Sequence, residues 1–482
     1  MGVLSGLKPD RVFTFFEEIA QIPHGSGNVE AISDYLAGFA GERGLQCIQD
    51  AVKNIIIIKE ATPGYEQEPA VILQGHMDMV AVQKPGLQID MAREPLRLAV
   101  DGDRIYAEGT SLGGDDGIAV AYALALLDDD TLQHPRLEVA ITVDEEVGMD
   151  GARAIDLSML QGHRLLNLDS EEEGIFLTSC AGGARINCLV ELPCRGMEGT
   201  AYELTVGGLQ GGHSGAEIHK QRGNSNVLLA RLLQRLAGNV KMGLSHCEGG
   251  LADNAIPRVT TARVLVEKGQ EERLESLVAE YQGILGRELA TTDPGISVMA
   301  SAQGPASESC LTDGELQRAA DYLYGLPCGV QAMSADVPGL VETSLNLGIL
   351  LVEGGRISAE FSVRSCVDSS KQALLDKVRG LTALAGGRCE VTGDYPGWAY
   401  RVDSPLRDKM VALYEEMYGE KPRVEAIHAG LECGILAAKI ADLDGISFGP
   451  NMYDIHTTEE TLSISSTQRV WDYLVRLLAL KD

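Results

Sequence analysis

Residues 71–78 read Val-Ile-Leu-Gln-Gly-His-Met-Asp, and residues 137–148 read Leu-Glu-Val-Ala-Ile-Thr-Val-Asp-Glu-Glu-Val-Gly. Each stretch begins with a mainly apolar run, which is typical of a strand that is buried on both faces of a sheet. Each run then ends in acidic or histidine side chains. Because ligands bind beyond the carboxyl ends of the strands in open α/β sheets, both stretches predict polar chemistry at one edge of a parallel sheet.

The neighbouring segments extend this pattern into an α/β fold. Further apolar strands are predicted at 54–58, 164–168 and 445–448. The almost wholly apolar segment 116–127 predicts a buried helix. Strands that alternate with helices favour a mostly parallel sheet that is covered by helices on both faces.

The pattern of apolar and polar residues changes in the middle of the chain. Strand-like runs there alternate with amphipathic helices, which are predicted at 224–237, 272–288, 314–324 and 370–386. We therefore predict a discontinuous catalytic domain, formed by residues 1–184 and 398–482. Residues 185–397 are predicted to form an inserted α+β lid domain.

The charge of the chain restricts its partners. The 482 residues include 70 Asp and Glu against 40 Lys and Arg, which gives a formal net charge of −30. A surface of this sign repels nucleic acid and anionic lipid at long range. We therefore expect no nucleic-acid partner and no membrane partner.

Three features predict a cytoplasmic location. The longest apolar stretches are far shorter than the ~18–20 residues that span a bilayer. Asp10, Glu17 and Glu18 interrupt the segment where a secretory signal would need an apolar core. The ten cysteines lack C-x-x-C spacing, which favours reduced and mostly buried thiols.

Acidic and histidine side chains recur at the ends of the predicted strands and beside the buried helix: His76, Asp78, Asp115, Asp116, Asp144, Glu145, Glu146, Asp169 and His456. Four or more carboxylates cannot share one pocket as free anions, because close like charges force some of them to take up protons. A bound dication resolves the conflict, and two dications with a shared carboxylate resolve it better. Histidine and carboxylate ligands without thiolate suit Zn²⁺, Mn²⁺ or Co²⁺.

Each of these residues alone has a plainer interpretation, since a single Asp at a strand end is more often a turn or cap residue. The joint pattern, with Glu145 and Glu146 adjacent, favours a metal site.

Several motifs also resemble those of a known family. Five of them resemble the motifs of the dinuclear-zinc aminoacylase and dipeptidase family: Gly75–Asp78, Gly113–Gly117, Asp144–Gly148, Asn167–Asp169 and Asp454–His456. Five further segments are similar to its bacterial aminoacylhistidine dipeptidase branch, which cleaves Xaa-His dipeptides such as carnosine: Ile22–Asn28, Gly212–Gly215, Asn254–Pro257, Phe361–Arg364 and His428–Cys433. The resemblance covers nearly the whole chain in order.

The resemblance implies two Zn²⁺ ions per chain, with Mn²⁺ or Co²⁺ as alternatives. One ion would be bound by His76, Asp115 and Asp169. The other would be bound by Asp115, Glu146 and His456, so that Asp115 bridges the two. Asp116 is an ambiguous neighbour, because the family has either Asn or Asp after the bridging residue.

The resemblance also assigns roles around the metals. Asp78 would hold His76 in the tautomer that leaves a ring nitrogen free for metal. Glu145 would be the general base, acting on a water molecule whose pKa a bound Zn²⁺ lowers from about 15.7 to ~7. His213 would donate a hydrogen bond to the developing oxyanion, although a histidine in a Gly-rich turn is the plainer interpretation.

A free C-terminal carboxylate requires a guanidinium or backbone amides. The candidates are Arg364, Asn254 and the backbone N–H of Gly430, which is expected at a helix start. The alternatives are an ordinary surface Arg and a turn Asn. The resemblance further implies a homodimer formed through the lid, which would then be a dimerisation domain.

We therefore predict a metallodipeptidase for small dipeptides, especially aminoacyl-histidines such as β-alanyl-histidine. An N-acyl-amino-acid deacylase or a carboxypeptidase of related fold is the alternative within the same chemistry. A catalytically silent peptide- or metal-binding protein is the alternative from another class. Glu145 argues against the silent protein, because a binding pocket needs ligands but no additional base.

Overall fold

The computed structural model describes residues 2–482. Within them the chain forms eleven α-helices: α1 (Asp10–Ala20), α2 (Glu30–Glu42), α3 (Gly114–Asp128), α4 (Asp150–Ala154), α5 (Ser225–Ala237), α6 (Glu271–Glu288), α7 (Asp313–Gly325), α8 (Asp368–Leu384), α9 (Pro405–Tyr418), α10 (Glu432–Lys439) and α11 (Ile464–Leu478). None of the helices in this described range is both long and apolar enough to span a membrane.

The same residues form 23 strands: β1 (Gln46–Gln49), β2 (Ile55–Lys59), β3 (Val71–His76), β4 (Leu98–Asp101), β5 (Arg104–Ala107), β6 (Leu137–Thr142), β7 (Arg164–Asn167), β8 (Ile175–Cys180), β9 (Gly182–Glu191), β10 (Arg195–Gly207), β11 (Gly212–His213), β12 (Met242–Gly249), β13 (Ala255–Ile256), β14 (Thr260–Val266), β15 (Ser297–Thr312), β16 (Gly329–Met333), β17 (Val341–Glu353), β18 (Arg356–Ser365), β19 (Arg388–Tyr395), β20 (Arg423–Ile427), β21 (Asp444–Ser447), β22 (Met452–Tyr453) and β23 (Thr461–Ser463).

The chain divides into two compact units. The first unit consists of the chain up to Ser179 together with Tyr400–Ala426 and Leu431–Asp482, and the second of Cys180–Ala399 and Ile427–Gly430. The sequence predicted the divisions at 184/185 and 397/398. In the structure the first division lies earlier, after Ser179, because β9, which starts at Gly182, pairs along its length with β18 of the second unit.

The first unit contains an eight-stranded sheet in the order β1-β2-β6-β3-β7-β21-β8-β20. Its four central strands, β6, β3, β7 and β21, are parallel, whereas β1, β2 and β8 pair antiparallel. The central strands are the apolar runs that the sequence predicted. The α/β fold class is thereby confirmed, with the parallel part of the sheet at its centre.

Helix α3 occupies the core of the first unit. Every residue from Gly114 to Leu127 is buried, and α3 packs against α1, the aromatic-rich helix that carries Phe13 and Phe16. A helix that is apolar on all sides is stable only where other elements surround it. The start of α3 is therefore held in a fixed place, and that start carries Asp115 and Asp116.

The second unit contains a nine-stranded sheet in the order β14-β10-β15-β12-β17-β18-β9-β19, with β16 on β17. Its strands pair antiparallel, as expected for an α+β insertion. Leucines of α5, α6, α7 and α8 form one core with the apolar residues of these strands. These four helices confirm the four amphipathic segments that the sequence predicted there.

Candidate active site

The parallel centre of the first sheet sets the level at which the site residues leave it. Because β3 and β7 pair Gln74 with Asn167, His76 and Asp169, which lie two residues further on, emerge at the same level. On the other side of β3, β6 leads directly into residues 144–146. The carboxyl ends of three adjacent strands thus meet at one edge, as the sequence predicted.

Five predicted ligands are close together at this edge. The Nε2 atom of His76 is 3.2 Å from Oδ1 of Asp115 and 3.6 Å from Oδ1 of Asp169. The Nε2 atom of His456 is 3.1 Å from Oδ2 of Asp115 and 2.9 Å from Oε1 of Glu146. The two carboxylate oxygens of Asp115 therefore face two different histidines, which is the arrangement of a bridging ligand.

The donor set fits two bound divalent cations. Two donors on one tetrahedral zinc ion, each about 2.0–2.1 Å from the metal, lie about 3.3 Å apart. The four separations above, from 2.9 to 3.6 Å, bracket that spacing. Within residues 2–482, Oε1 of Glu146 is buried and makes no well-directed hydrogen bond, although Nε2 of His456 is close to it. A buried carboxylate oxygen without a hydrogen bond calls for another partner, and a bound cation would be one.

Asp78 orients the site, although not only in the way the sequence predicted. The Nδ1 atom of His76 is 2.9 Å from the backbone carbonyl of Asp78 and 3.5 Å from its carboxylate. The carbonyl therefore receives the Nδ1 proton, which leaves Nε2 free for metal. The carboxylate of Asp78 instead accepts hydrogen bonds from the Ser26 hydroxyl at 2.8 Å and from the backbone N–H of Glu145 at 3.0 Å. Asp78 thus also holds the backbone of the predicted base.

Asp116 is a second acidic group behind the ligands. It is fully buried, its Oδ2 accepts a hydrogen bond from the backbone N–H of His76, and its Oδ1 has no hydrogen-bond partner within residues 2–482. Two sets of donor atoms lie within 4.8 Å of one another: His76, Asp115 and Glu146, and His76, Asp116 and Asp169. The pairing of Asp115 with both histidines favours Asp115 as the bridging residue.

At this crowded edge the pKa values of a histidine and of a carboxyl group are both raised, for different reasons. Burial alone would lower the pKa of His76, but its hydrogen bonds to Asp115, Asp169 and Asp78 raise it well above the ordinary value. Burial raises the pKa of Glu145 to about 7; nearby carboxylates add to this shift and His76 opposes it. A carboxyl group of this kind can accept and release a proton near neutral pH.

Glu460 is a residue that the sequence analysis missed. Its buried carboxylate accepts hydrogen bonds from four consecutive backbone N–H groups, those of Leu112, Gly113, Gly114 and Asp115, at 2.8 to 3.4 Å. The loop that carries the bridging aspartate is therefore fixed from behind. The only available signal was an acidic residue four positions after His456, which no local rule distinguishes from a solvated one.

A second missed group is Glu432, at the first turn of α10. Its carboxylate accepts hydrogen bonds from the Gln74 amide and from the Thr142 hydroxyl at 2.6 Å, and the Gln74 side chain also accepts a hydrogen bond from Asn167. Glu432 thus links the strands β3, β6 and β7, which deliver the ligands. Burial raises its pKa to about 8.

The second unit contains a separate polar cluster, which surrounds Gly215. A Cβ atom on Gly215 would lie 2.7 Å from the carbonyl oxygen of His428, 3.0 Å from Cε1 of His213 and 3.2 Å from Nε of Arg364. His428 is held by Ser344, whose hydroxyl is 2.7 Å from its Nε2. Within the described residues, the buried Nε of Arg364 makes no hydrogen bond. The Nε donor of Arg364 is therefore available to an acceptor from outside the described residues.

The turn around His213 fixes its tautomer. Its Nδ1 accepts hydrogen bonds from the backbone N–H groups of Gly215 at 3.3 Å and of Ala216 at 3.0 Å. The proton of the neutral ring must therefore be on Nε2. Burial and the charge of Arg364 lower the pKa of His213, so that the ring is neutral. His213 can then act as a hydrogen-bond donor through Nε2.

Asn254 and Gly430 occupy less defined positions in the same unit. The backbone carbonyl of Asn254 accepts a hydrogen bond from the backbone N–H of Ser214 at 2.8 Å, and Asn254 is exposed. Gly430 does not begin a helix, because α10 starts at Glu432 with Leu431 as its N-cap. A Cβ on Gly430 would lie 2.9 Å from the Tyr395 hydroxyl, so this position accepts only glycine without a shift.

Known proteins resemble this chain both in sequence and in structure. The model of a family described as peptidase family M20/M25/M40 matches residues 72–480. The chain is 36% identical over 480 residues to the cytosol non-specific dipeptidase of Escherichia coli (strain K12), with 99% of each chain covered. The crystal structure of aminoacylhistidine dipeptidase from Vibrio alginolyticus matches with a TM-score of 0.96 and 35% identity, covering 100% of this chain and 98% of that one. Aminopeptidase PepT from Bacillus cereus ATCC 10987 covers 98% of each chain at 15% identity and a TM-score of 0.57, which shows a shared fold.

Proposed function

The chain belongs to peptidase family M20/M25/M40 and is a peptide hydrolase, and from that premise we propose that it is a dinuclear-metal dipeptidase whose substrates include aminoacyl-histidines such as β-alanyl-histidine. The observation that carries the proposal is the position of Asp115, whose two oxygens face His76 and His456 separately. The names of the two full-length relatives support a dipeptide substrate.

The proposed ligands divide into two sets that share one residue. His76, Asp115 and Asp169 would hold one ion, and Asp115, Glu146 and His456 would hold the other. When bound, Zn²⁺ ions, or Mn²⁺ or Co²⁺, would polarise the scissile carbonyl and increase the acidity of water. The short distances among these groups support the set, because carboxylates so close together need cations beside them.

We propose that Glu145 moves the proton. It would accept a proton from the attacking water and later deliver it to the leaving amine nitrogen. Two observations support this role: burial raises its pKa to about 7, and the carboxylate of Asp78 holds its backbone N–H. A side chain that only bound metal would need neither property.

The cluster of the second unit would bind the other parts of the substrate. Arg364 would pair with the C-terminal carboxylate, since its Nε lacks a partner within residues 2–482. Asn254 and the backbone of Gly430 would complete that contact. His213 would donate its Nε2 proton to the carbonyl oxygen as negative charge develops there, and its fixed tautomer supports the role.

We further propose a homodimer in the cytoplasm, with the second unit as the interface. Leu251 is 99% exposed on the turn that leads to Asn254, and an interface that covered this turn would remove its apolar side chain from water. The word cytosol in the name of the Escherichia coli relative supports the location.

Mixing His213→Ala and Asp78→Ala proteins should restore some activity if His213 acts across the dimer. If the subunits exchange and the mixture still shows no activity, His213 acts on the active site of its own subunit.

The substrate proposal is tested by hydrolysis of β-alanyl-histidine, other dipeptides and an N-acetyl amino acid by zinc-loaded protein. We expect release of histidine from β-alanyl-histidine and faster hydrolysis of dipeptides than of the acetylated compound. A preference for the acetylated compound would indicate a deacylase, and cleavage of longer peptides from their C-terminus would indicate a carboxypeptidase.

The mechanism is tested by Glu145→Gln at full metal loading. Loss of general-base catalysis should lower kcat by ~10²–10⁴-fold while two metal ions per chain remain bound. Glu172→Gln, which alters an exposed acidic residue, serves as the control and should keep wild-type turnover. Wild-type turnover by Glu145→Gln would remove Glu145 from the mechanism.

A further inference from the structure

Two cysteines of the second unit face each other on adjacent strands, remote in sequence from every predicted ligand. In the antiparallel pair of β9 and β19, Cys188 lies directly opposite Cys389. Their Sγ atoms are 2.9 Å apart, although 201 positions separate the residues in the chain. The packing of the sheet edge therefore brings two thiols into contact, and this contact has no part in the hydrolytic site.

The strand geometry permits a covalent bond without movement of the backbone. Disulfides join residues whose Cα atoms are about 4.4–6.8 Å apart. Residues directly opposite each other in antiparallel strands have Cα atoms about 4.5 or about 5.5 Å apart, so either type of pair falls within that range. The pairing of the two residues therefore satisfies the distance requirement for a disulfide.

The surroundings of the two thiols differ in a way that assigns them different roles. Cys188 is 1% exposed, whereas Cys389 is half-buried on the edge strand. The hydrogen bond from Cys188 lowers the pKa of the Cys389 thiol, burial opposes the shift, and Thr382 and Arg379 add to it. Since the thiolate is the nucleophile, Cys389 is the thiol that reacts first with a reagent from solvent.

We propose that Cys188 and Cys389 form a site of reversible oxidation, at which a low-molecular-weight disulfide converts the two thiols into a cross-strand disulfide. The Cys389 thiolate attacks one sulfur of the reagent, forms a mixed disulfide and releases one thiolate. Cys188 then loses its proton to solvent and attacks Sγ of Cys389, which releases the second thiolate. Two protein thiols are oxidised, and one reagent disulfide is reduced to two thiols.

The bond would tie the last strand of the sheet to its neighbour. β19 is the terminal strand of the order, and β9 is the strand to which it pairs. A link between residues 201 positions apart constrains the unfolded chain over much of the second unit. Oxidation should therefore raise the unfolding temperature of this unit by roughly 5–10 °C.

The experiment uses the full-length, zinc-loaded protein and glutathione redox buffers. With excess oxidised glutathione, the count of free thiols in the denatured protein should fall from ten to eight, and peptide mapping should link the peptides that contain Cys188 and Cys389. Reduced glutathione in excess should restore ten. Retention of all ten thiols, or a link between other cysteines, would overturn the proposal.

Single variants test the order of the two steps. Cys188→Ser should stop after the first step and carry one glutathione on Cys389, whereas Cys389→Ser should lose no thiol and show no rise in unfolding temperature on oxidation. Cys47→Ser removes another partly buried cysteine, in the first unit, and should still lose two thiols. Absence of the adduct from Cys188→Ser, in a protein that keeps wild-type peptidase activity, would contradict Cys389 as the attacking thiol.

Discussion

The polar clusters of the two units are opposite in charge. In the first unit, carboxylates outnumber the histidines around Asp115, and every short contact joins a histidine to a carboxylate. In the second unit, Arg364 lies beside His213 and His428, and no ion pair joins it to a carboxylate of the described residues. The first cluster therefore requires cations, and the second can receive an anion.

The histidines report this difference directly. Hydrogen bonds to Asp115 and Glu146 raise the pKa of His456 to about 10, whereas burial and the charge of Arg364 lower the pKa of His428 to about 3. The same side chain thus takes up a proton in one unit and loses it in the other, because its neighbours differ in charge. A bound cation in the first unit would replace those protons, so metal binding should release protons.

The largest expected effect comes from the residue that both proposed metal sites share. Asp115→Ala should reduce bound zinc from two ions to fewer than one per chain, and activity should fall by at least ~10³-fold because the site loses several kcal/mol of charge stabilisation. Metal analysis of the dialysed protein and initial rates measure these changes. Asp130→Ala alters an exposed acidic residue just after the same helix and should keep both properties. Two tightly bound ions in Asp115→Ala would break the assignment of Asp115 as the bridge.

The next effect separates the clusters by function. His213→Ala should lower kcat by ~10²–10³-fold, as does removal of one oxyanion donor in other enzymes. Its zinc content and its unfolding temperature should remain those of the wild type, because His213 lies in the second unit on an exposed turn. Steady-state kinetics with metal analysis give both values. A change in KM alone would indicate that His213 binds substrate without acting in the reaction.

A smaller effect tests whether the positive cluster recognises a carboxylate. Arg364→Met should raise KM for dipeptides by ~10–100-fold, because a charge-assisted hydrogen bond contributes about 1.5–3 kcal/mol. Arg364→Lys should recover part of the loss, since it restores charge without the planar fork. Dipeptide amides lack the carboxylate, so the wild type and the Arg364 variants should have similar KM values for them. Equal losses on the acid and on its amide would mean that Arg364 does not bind the carboxylate.

The sequence predicted the first cluster better than the second. Buried apolar strands that end in acidic residues are a local pattern, and the parallel register then aligns His76 with Asp169 without further information. By contrast, the second cluster combines a turn residue, His213, with Arg364 inside β18 and with His428. Such a combination is determined by tertiary contacts, so only the resemblance to a family could propose it.

Two kinds of feature escaped the sequence analysis for physical reasons. The long strand β15 (Ser297–Thr312) consists largely of small and polar residues, and it is held by thirteen paired positions on β10 rather than by an apolar pattern of its own. Glu432 and Glu460 look like solvated acidic residues in the sequence. Their role follows from burial against backbone and side-chain donors that come from distant segments.

The smallest effect concerns the acidic group beneath the first cluster. Burial raises the pKa of Glu432 to about 8 in the folded protein, against an ordinary value of 4.5. The folded state therefore binds more protons than the unfolded state between these two values, and the contribution of Glu432 to the free energy of unfolding decreases as the pH rises through that window. Glu432→Gln keeps the shape of the protonated group and should remove this decrease.

Urea unfolding of the wild type and of Glu432→Gln between pH 5 and pH 9 measures the effect. The variant should gain about 2 kcal/mol relative to the wild type over this range, less than the full shift converts to at about 1.36 kcal/mol per unit, because neighbouring groups relax. Glu138→Gln is the matched control: Glu138 is also fully buried but is paired with Arg136, so its loss should destabilise the protein across the range. Parallel curves for Glu432→Gln and wild type would show that Glu432 keeps its charge. Glu432 would then add a negative charge to the first cluster, and the difference in charge between the two clusters would be larger than proposed.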